Sequence, residues 1–311
     1  MGGLKSAVVT GASGFLGRTL CRELRCQDYE VTAVIRPGSA RRERLKMTLE
    51  EAAGPGWRIL ELGLGELEQL PSLLEAPAEL FFHLAWEGAG GMEREEFDIQ
   101  ERNIGHTARA VRAAKACGCQ KFIGAGSQAE YGVVLGRARE KETAQDPFLM
   151  YGAAKLAAGQ MGKILAAQLG LDFLWCRIYS VYGEGENQGT LVRYLIDTLS
   201  RGGIPQLTAC ENRWNFLHVA DCARALCLLG ETREAAGICH VASEDTRLLR
   251  DFVEEIRDVV CPEGQLAFGT REVDSRRTFW LDPDCAMLRS LGFSCQVEFR
   301  EGIRREKERR K

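Results

Sequence analysis

At 311 residues the chain is long enough for two ordinary domains or one large one. Hydrophobic residues at 45% and charged residues at 27% are proportions of a globular protein, which excludes disorder, collagen-like repeats and coiled coil. With 41 Lys and Arg against 44 Asp and Glu the formal charge is -3, so no global field recruits nucleic acid, and the longest apolar runs fall far short of a membrane span.

The predicted elements begin at once. Met1-Gly2-Gly3-Leu4-Lys5-Ser6 matches the N-myristoylation pattern, but a β-rich run at 6–10 follows too closely to leave a lipidated arm, and the match is read as coincidence. The same run leaves no room for a signal peptide, so a cytoplasmic protein is expected. Further strands are predicted at 29–35, 57–62, 79–85, 120–126 and 172–178. Between them lie amphipathic stretches at about 14–26, 41–53, 93–117 and 150–169. Pro37-Gly38 closes the second strand. Such alternation implies an α/β fold, a doubly wound parallel sheet with helices on both faces, whose ligands bind at the carboxyl ends of the strands.

After about residue 182 the alternation weakens. A polar, glycine-rich connection, Gly183-Glu184-Gly185-Glu186-Asn187-Gln188-Gly189, leads to a helix at 190–201 and a strand–helix return near 216–230. The stretch 244–311 reads as a smaller mixed region, ending in a solvated basic segment. The twelve cysteines are scattered, with no C-x-x-C, and several fall in apolar periodic runs. They read as free thiols in a reducing compartment, with no metal site expected.

Chemistry gathers at the strand ends. Thr10-Gly11-Ala12-Ser13-Gly14-Phe15-Leu16-Gly17 joins the first strand to a helix, and its three glycines permit a tight turn, close approach of a pyrophosphate and close helix packing. At the end of the second strand stands Arg36, where cofactors lacking a 2′-phosphate usually meet an acid; this tilts the expected cofactor from NAD towards NADP. Arg36 stacking on adenine, or simply facing solvent, is the alternative. Tyr151 and Lys155 stand four residues apart, on one helical face. A phenol ordinarily titrates near about 10, and a nearby ammonium favours the phenolate. Ser127, after the fifth strand, is placed to hold a substrate oxygen.

Taken together, the glycine turn, Ser127, Tyr151 and Lys155 resemble the signature of the extended short-chain dehydrogenase/reductase family. Further blocks extend the likeness along nearly the whole chain: Phe82-His83-Leu84-Ala85-Trp86, Asn103-Ile104-Gly105-His106-Thr107, Ser127-Gln128-Ala129-Glu130-Tyr131-Gly132, Arg177-Ile178-Tyr179-Ser180-Val181-Tyr182-Gly183 and Arg213-Trp214-Asn215-Phe216. The chain is similar to the nucleotide-sugar epimerase, dehydratase and reductase branch. The resemblance implies a Rossmann-type dinucleotide-binding domain at 1–182, with a return segment at about 215–243, and a smaller C-terminal mixed α/β substrate domain from 183–214 and 244–311.

It also implies roles. Tyr151 would act as acid/base, Lys155 would anchor the nicotinamide ribose, and Ser127 would bond the sugar oxygen. The cofactor would lie along Gly11, Ser13, Gly14, Phe15, Leu16, Gly17, Arg36, Leu84, Ala85, Trp86, Asn103 and Tyr179, with Gln128, Ser180 and Arg213 on the substrate. Arg213 would pair with a nucleotide phosphate or, alternatively, serve as an ion-pair partner at the domain junction. A homodimer through the helices at about 93–117 and 150–169 would be usual.

Departures narrow the reaction. Gly63 stands where the family often has an adenine-binding Asp, Ser180 where many members have Asn, and Trp86 is bulkier than the usual residue and with 87–91 is read either as shaping a substrate lid or as a packing aromatic. The 4,6-dehydratases need an Asp-Glu pair after the active-site hydroxyl residue, whereas Gln128-Ala129 cannot titrate; Ala129 also lacks the cysteine found in members resembling GDP-fucose synthase. Two reactions remain: keto-sugar reduction, and 4-epimerisation with tightly held NAD. A non-enzymatic NADP(H) sensor on this scaffold would typically lack the Tyr/Lys pair.

Overall fold

A computed structural model of the chain describes residues 5–272 and 280–310; the acylation-like start Met1–Leu4 lies outside the described residues. The first half runs β1 (Lys5–Thr10), α1 (Phe15–Cys26), β2 (Tyr29–Ile35), α2 (Arg42–Glu51), β3 (Trp57–Glu61), a short α3 (Leu70–Leu73), β4 (Leu80–His83), α4 (Phe97–Ala116), β5 (Lys121–Ser127), β6 (Arg137–Ala138), α5 (Met150–Leu169) and β7 (Asp172–Ile178). There follow β8 (Ser180–Tyr182), α6 (Leu191–Ser200), β9 (Arg213–His218), α7 (Val219–Glu231), β10 (Gly237–Val241), β11 (Thr246–Leu248), α8 (Leu249–Val260), β12 (Asp282–Pro283), α9 (Ala286–Ser290) and α10 (Phe299–Glu308).

Seven strands form one parallel sheet in the order β10-β7-β5-β4-β1-β2-β3. The order reverses between β1 and β4, and that crevice is where such sheets take ligands. Buried strands of this kind need no polar alternation: Ala7, Val8, Val9 and Thr10 are all inaccessible. Odd and even residues then feed opposite layers. Val9, Val31, Ile35 and Phe82 pack with Leu20, Leu24 and Leu226 on one face, while Val8, Phe81, Phe122 and Trp175 pack with Ala110, Ala114 and Ala158 on the other.

On that second face Phe81, Phe122, Phe173 and Trp175 stack across three strands, with centroids 5.7, 5.5 and 6.0 Å apart. The Trp175 ring fits because Gly126 on β5 and Gly159 on α5 present no side chain; a Cβ on Gly159 would lie 2.8 Å from the indole nitrogen. The small faces bring α5 close to the end of β5. That proximity builds the site.

A third core unites α6, α8 and α10 with β8 and β9 through Leu195, Ile196, Phe216, Phe252, Ile256, Phe299 and Ile303. Strands β8, β9 and β11 make a separate three-stranded sheet.

Two elements differ from expectation. The helix predicted from 93 begins at Phe97, because Gly91, with φ of 63°, opens a separate 3₁₀ turn over Gly91–Glu95. The short run Gly237–Val241 is a seventh sheet strand beside β7, too brief to stand out as a periodic pattern. Among the described residues no helix is long and apolar enough to cross a membrane.

Candidate active site

The turn after β1 is shaped by what its glycines leave empty. Gly11 has φ of 71°, a left-handed conformation, and a Cβ there would lie 2.7 Å from the Ala85 nitrogen, so only glycine brings the turn this close to the end of β4. Gly17 packs beneath the turn, where a Cβ would strike the Gly11 carbonyl oxygen. Gly14 N-caps α1 without any side-chain cap, and the first helical turn carries no acid. Its backbone N–H groups and the positive end of the helix dipole are thus free for an anion. The cradle fits a dinucleotide diphosphate, with Phe15 and Leu16 opening the helix and Leu84 and Ala85 forming the opposite wall.

Beside it lies a cavity of about 290 Å³ lined by Ser13, Phe15, Arg18, Arg41, Arg44 and Arg193. Ser13 Oγ is 3.1 Å from Ser39 Oγ. Arg18 and Arg44 both reach Glu184, at 3.2 and 3.4 Å, and Arg41 donates to Asn187 Oδ1 at 3.1 Å. Burial lifts the Glu186 carboxyl, on the same wall, to about 7. Arg36 is exposed just after the end of β2 and does not line this cavity. Sequence reasoning found Ser13, Gly14 and Phe15 of this lining but none of its arginines, and the far wall comes from residues 185–193, remote in the chain.

At the end of β5, Ser127 caps the next turn, its Oγ accepting from the Ala129 nitrogen at 3.2 Å. The Tyr151 phenol, in the first turn of α5, faces the Ser127 side chain, which favours its ionised form. Lys155 is buried one turn later: its Nζ donates to the Ala125 carbonyl at 2.6 Å, lies 3.6 Å from the Trp86 ring and stands 5.8 Å from the Tyr151 ring. Three predicted residues therefore meet.

The electrostatics differ from the expected pattern. Burial raises the Tyr151 phenol above its ordinary value, opposed by the Arg94 charge and the Ser127 side chain. Burial also lowers the Lys155 ammonium to about 7, against the attraction of Glu130. The cation opposing burial at the phenol is thus Arg94, 4.3 Å from the ring centroid, a residue that sequence reasoning missed.

The other predicted residues divide. Trp86 donates from Nε1 to Gln100 at 3.0 Å and sets its edge against Tyr151, with centroids 6.0 Å apart. Asn103 accepts from the Glu87 nitrogen at 2.9 Å and donates to the Glu87 and Ile99 carbonyls, which ties down the segment after β4. Tyr179 is buried with its hydroxyl unpartnered among the described residues, as is the Gln128 Oε1 atom. Ser180 is half-buried on β8. Arg213 donates to the Thr246 carbonyl at 2.9 Å and lies 3.6 Å from Asp282, the ion-pair arrangement that was its alternative. A second cavity, of about 490 Å³ and including Tyr182, Arg247 and Phe299, contains none of the predicted site residues.

Beneath Ser127 runs a buried network. Glu130 accepts from the Ser127 nitrogen and from Trp175 Nε1, both at 2.8 Å, and pairs with Arg177 at 2.7 Å. Arg177 lies 4.2 Å from the Tyr131 ring, whose hydroxyl is 2.6 Å from His240 Nε2. A lone Arg in an otherwise apolar strand was the available signal, since a buried charge demands a partner.

Fold and site together define a dinucleotide-binding α/β enzyme of the short-chain dehydrogenase/reductase type. Residues 7–241 match the model of the NAD dependent epimerase/dehydratase family, and the chain belongs to that family. An uncharacterized protein of Sinorhizobium fredii is 26% identical over 254 residues, 81% of this chain and 60% of the relative, so the chain spans less than two thirds of that protein. A dTDP-6-deoxy-L-talose 4-dehydrogenase (NAD(P)(+)) of Kitasatospora kifunensis is 24% identical over 319 residues, covering 95% of this chain and 92% of the relative. Among solved structures, a UDP-N-acetylglucosamine 4-epimerase of Methanobrevibacter ruminantium, in complex with UDP-N-acetylmuramic acid, superposes with a TM-score of 0.85 at 21% identity, covering 99% and 98% of the two chains.

Proposed function

We propose that this enzyme reduces a 4-keto group on a nucleotide-linked sugar, with Tyr151 as the proton donor. The observation that carries the reading is the gathering of Ser127, Tyr151 and Lys155 at the carboxyl end of β5, with the Lys155 Nζ 5.8 Å from the Tyr151 ring and bonded to the Ala125 carbonyl. A bound nicotinamide supplies the hydride in this direction and accepts it in the reverse one. Ser127 holds the carbonyl oxygen while Tyr151 releases its phenolic proton to that oxygen, which stays on the sugar carbon as the product hydroxyl. Lys155 and Trp86 shape the floor where the nicotinamide ribose would rest. Gln128 and Ala129 offer no titratable group, so Tyr151 is the proton carrier.

The basic cavity beside Ser13, which Arg41 lines, supports NADP(H); Arg41, with the exposed Arg36 at the end of β2, would read the 2′-phosphate. A second reading, 4-epimerisation, rests on the fold shared with the methanogen epimerase, and runs the same proton transfer forward and back at one carbon. The division of labour follows the chain: the seven-stranded sheet holds the cofactor, and the unit built on α6, α8 and α10 covers the substrate. Exposed Met161 and Ile164 on α5 support a homodimer through α4 and α5, which light scattering would test.

The test of function is Tyr151→Phe with the copurifying cofactor identified. Loss of turnover with dinucleotide binding intact is expected; unchanged turnover would overturn the mechanism. Tightly held NAD in the purified protein would favour the epimerase, and uptake of NADPH by an empty site would favour the reductase.

A further inference from the structure

The segment between β4 and α4 carries the cation beside the Tyr151 phenol, and that cation has no polar partner of its own among the described residues. Arg94 sits on the 3₁₀ turn Gly91–Glu95, its guanidinium 4.3 Å from the centre of the Tyr151 ring. Its Nε is buried without a hydrogen-bond partner, and the guanidinium makes no ion pair among the described residues. An Arg that leans on an aromatic face keeps its in-plane donors available, and their planar fork matches a carboxylate or phosphate edge.

The turn is held firmly. Gln100, 2% exposed, donates to the carbonyls of Gly88 and Glu93, each at 2.9 Å. Glu95 accepts from the Met150 nitrogen at 3.3 Å, at the start of the helix that bears Tyr151. Of the acids on this segment, Glu87 pairs with Arg102 at 3.5 Å and lies 3.9 Å from His106, Glu95 accepts from the Met150 nitrogen, and the flanking Glu93 and Glu96 are both exposed and form no ion pair with Arg94. A partly desolvated cation is thus fixed over the residue that handles the proton, with its polar edge unused. Such a group is costly unless an anion arrives to complete it.

We infer that Arg94 binds an oxyanion of the substrate, either a carboxylate on the sugar or the diphosphate that links it to the nucleoside; this rests on the nucleotide-sugar reading above. The two sources share one chemistry and separate by experiment. Calorimetry with UDP, dTDP, CDP and GDP first identifies the base that wild-type protein binds. The free nucleoside diphosphate, its glucose conjugate and its glucuronic acid conjugate are then titrated into wild type, Arg94→Gln and Arg94→Lys.

Arg94→Gln is expected to weaken at least one of these ligands by about tenfold or more, with partial recovery in Arg94→Lys. A loss confined to the glucuronic acid conjugate identifies a sugar carboxylate, and an equal loss for all three identifies the diphosphate. Unchanged affinity for all three in Arg94→Gln overturns the inference while leaving the nucleotide-sugar reading intact. Wild-type protein that binds none of the four nucleotides overturns both.

Discussion

Glu130 and Arg177 form an ion pair of 2.7 Å with both side chains about 1% exposed, directly beneath the Ser127 backbone. The carboxylate does three things at once: it neutralises Arg177, receives the Ser127 N–H and receives the Trp175 indole. Removing its charge strands a buried guanidinium. Glu130→Gln should lower unfolding free energy by about 3–5 kcal/mol. It should also depress kcat, since the strand end that presents Ser127 loosens. Urea denaturation with parallel turnover assays checks this, and a stability change under about 1 kcal/mol would contradict it.

Lys155 makes ligand-free stability depend on pH. The unfolded chain holds this proton up to about 10.4, whereas the folded protein releases it near 7. Between those values the unfolded state binds more protons, so stability rises with pH across the window. Below it the full cost of the buried ammonium remains. Lys155→Met should therefore be more stable than wild type near about pH 6, by on the order of 3 kcal/mol, with the gap closing towards about pH 10. Denaturation midpoints at several pH values test it; a gap that does not vary with pH counts against it.

The phenol of Tyr151 faces Arg94 from the 3₁₀ turn, Lys155 on its own helix, and Ser127 and Glu130 at the end of β5. Arg94 stabilises the phenolate, so its removal raises the phenol further. In the oxidation direction, which needs the phenolate, Arg94→Gln should move the rising limb of kcat/KM to higher pH by about one unit. Arg94→Lys should keep it near the wild-type position. A limb that stays in place in Arg94→Gln removes this role.

Cofactor choice should respond to the basic cavity. Arg36→Ala and Arg41→Ala are each expected to weaken NADPH by about tenfold, since a hydrogen bond to a charged phosphate contributes about 1.5–3 kcal/mol. NADH binding should change little. Fluorescence titration with both dinucleotides provides the comparison, and equal losses would mean that these arginines do not read the 2′-phosphate.

Gly17→Ala places a methyl group against the Gly11 carbonyl oxygen. The turn must shift to admit it. Overpacking of this kind costs about 1–3 kcal/mol, and dinucleotide affinity should fall with it. A melting curve and a binding isotherm together check the prediction; unaltered binding would show that the turn tolerates the displacement.

Much of this molecule is written in short-range patterns. Strand–helix alternation, the glycine turn at 11–17 and the four-residue spacing of Tyr151 and Lys155 follow from local periodicity and sterics, which neighbouring residues carry along the chain. The meeting of Ser127 with Tyr151 was legible only through the resemblance to the family, whose signature holds both residues at one site. Arg94 over Tyr151, Glu130 under Ser127 and Glu184 against Arg18 were not. Each joins residues remote in sequence, and the energy of a buried charge depends on which partner the packing delivers, not on its neighbours in the chain. The same holds for Lys155: its place on the helix is a matter of spacing, but its titration near 7 arises only when Trp86, Ala125 and the surrounding sheet exclude water from its ammonium.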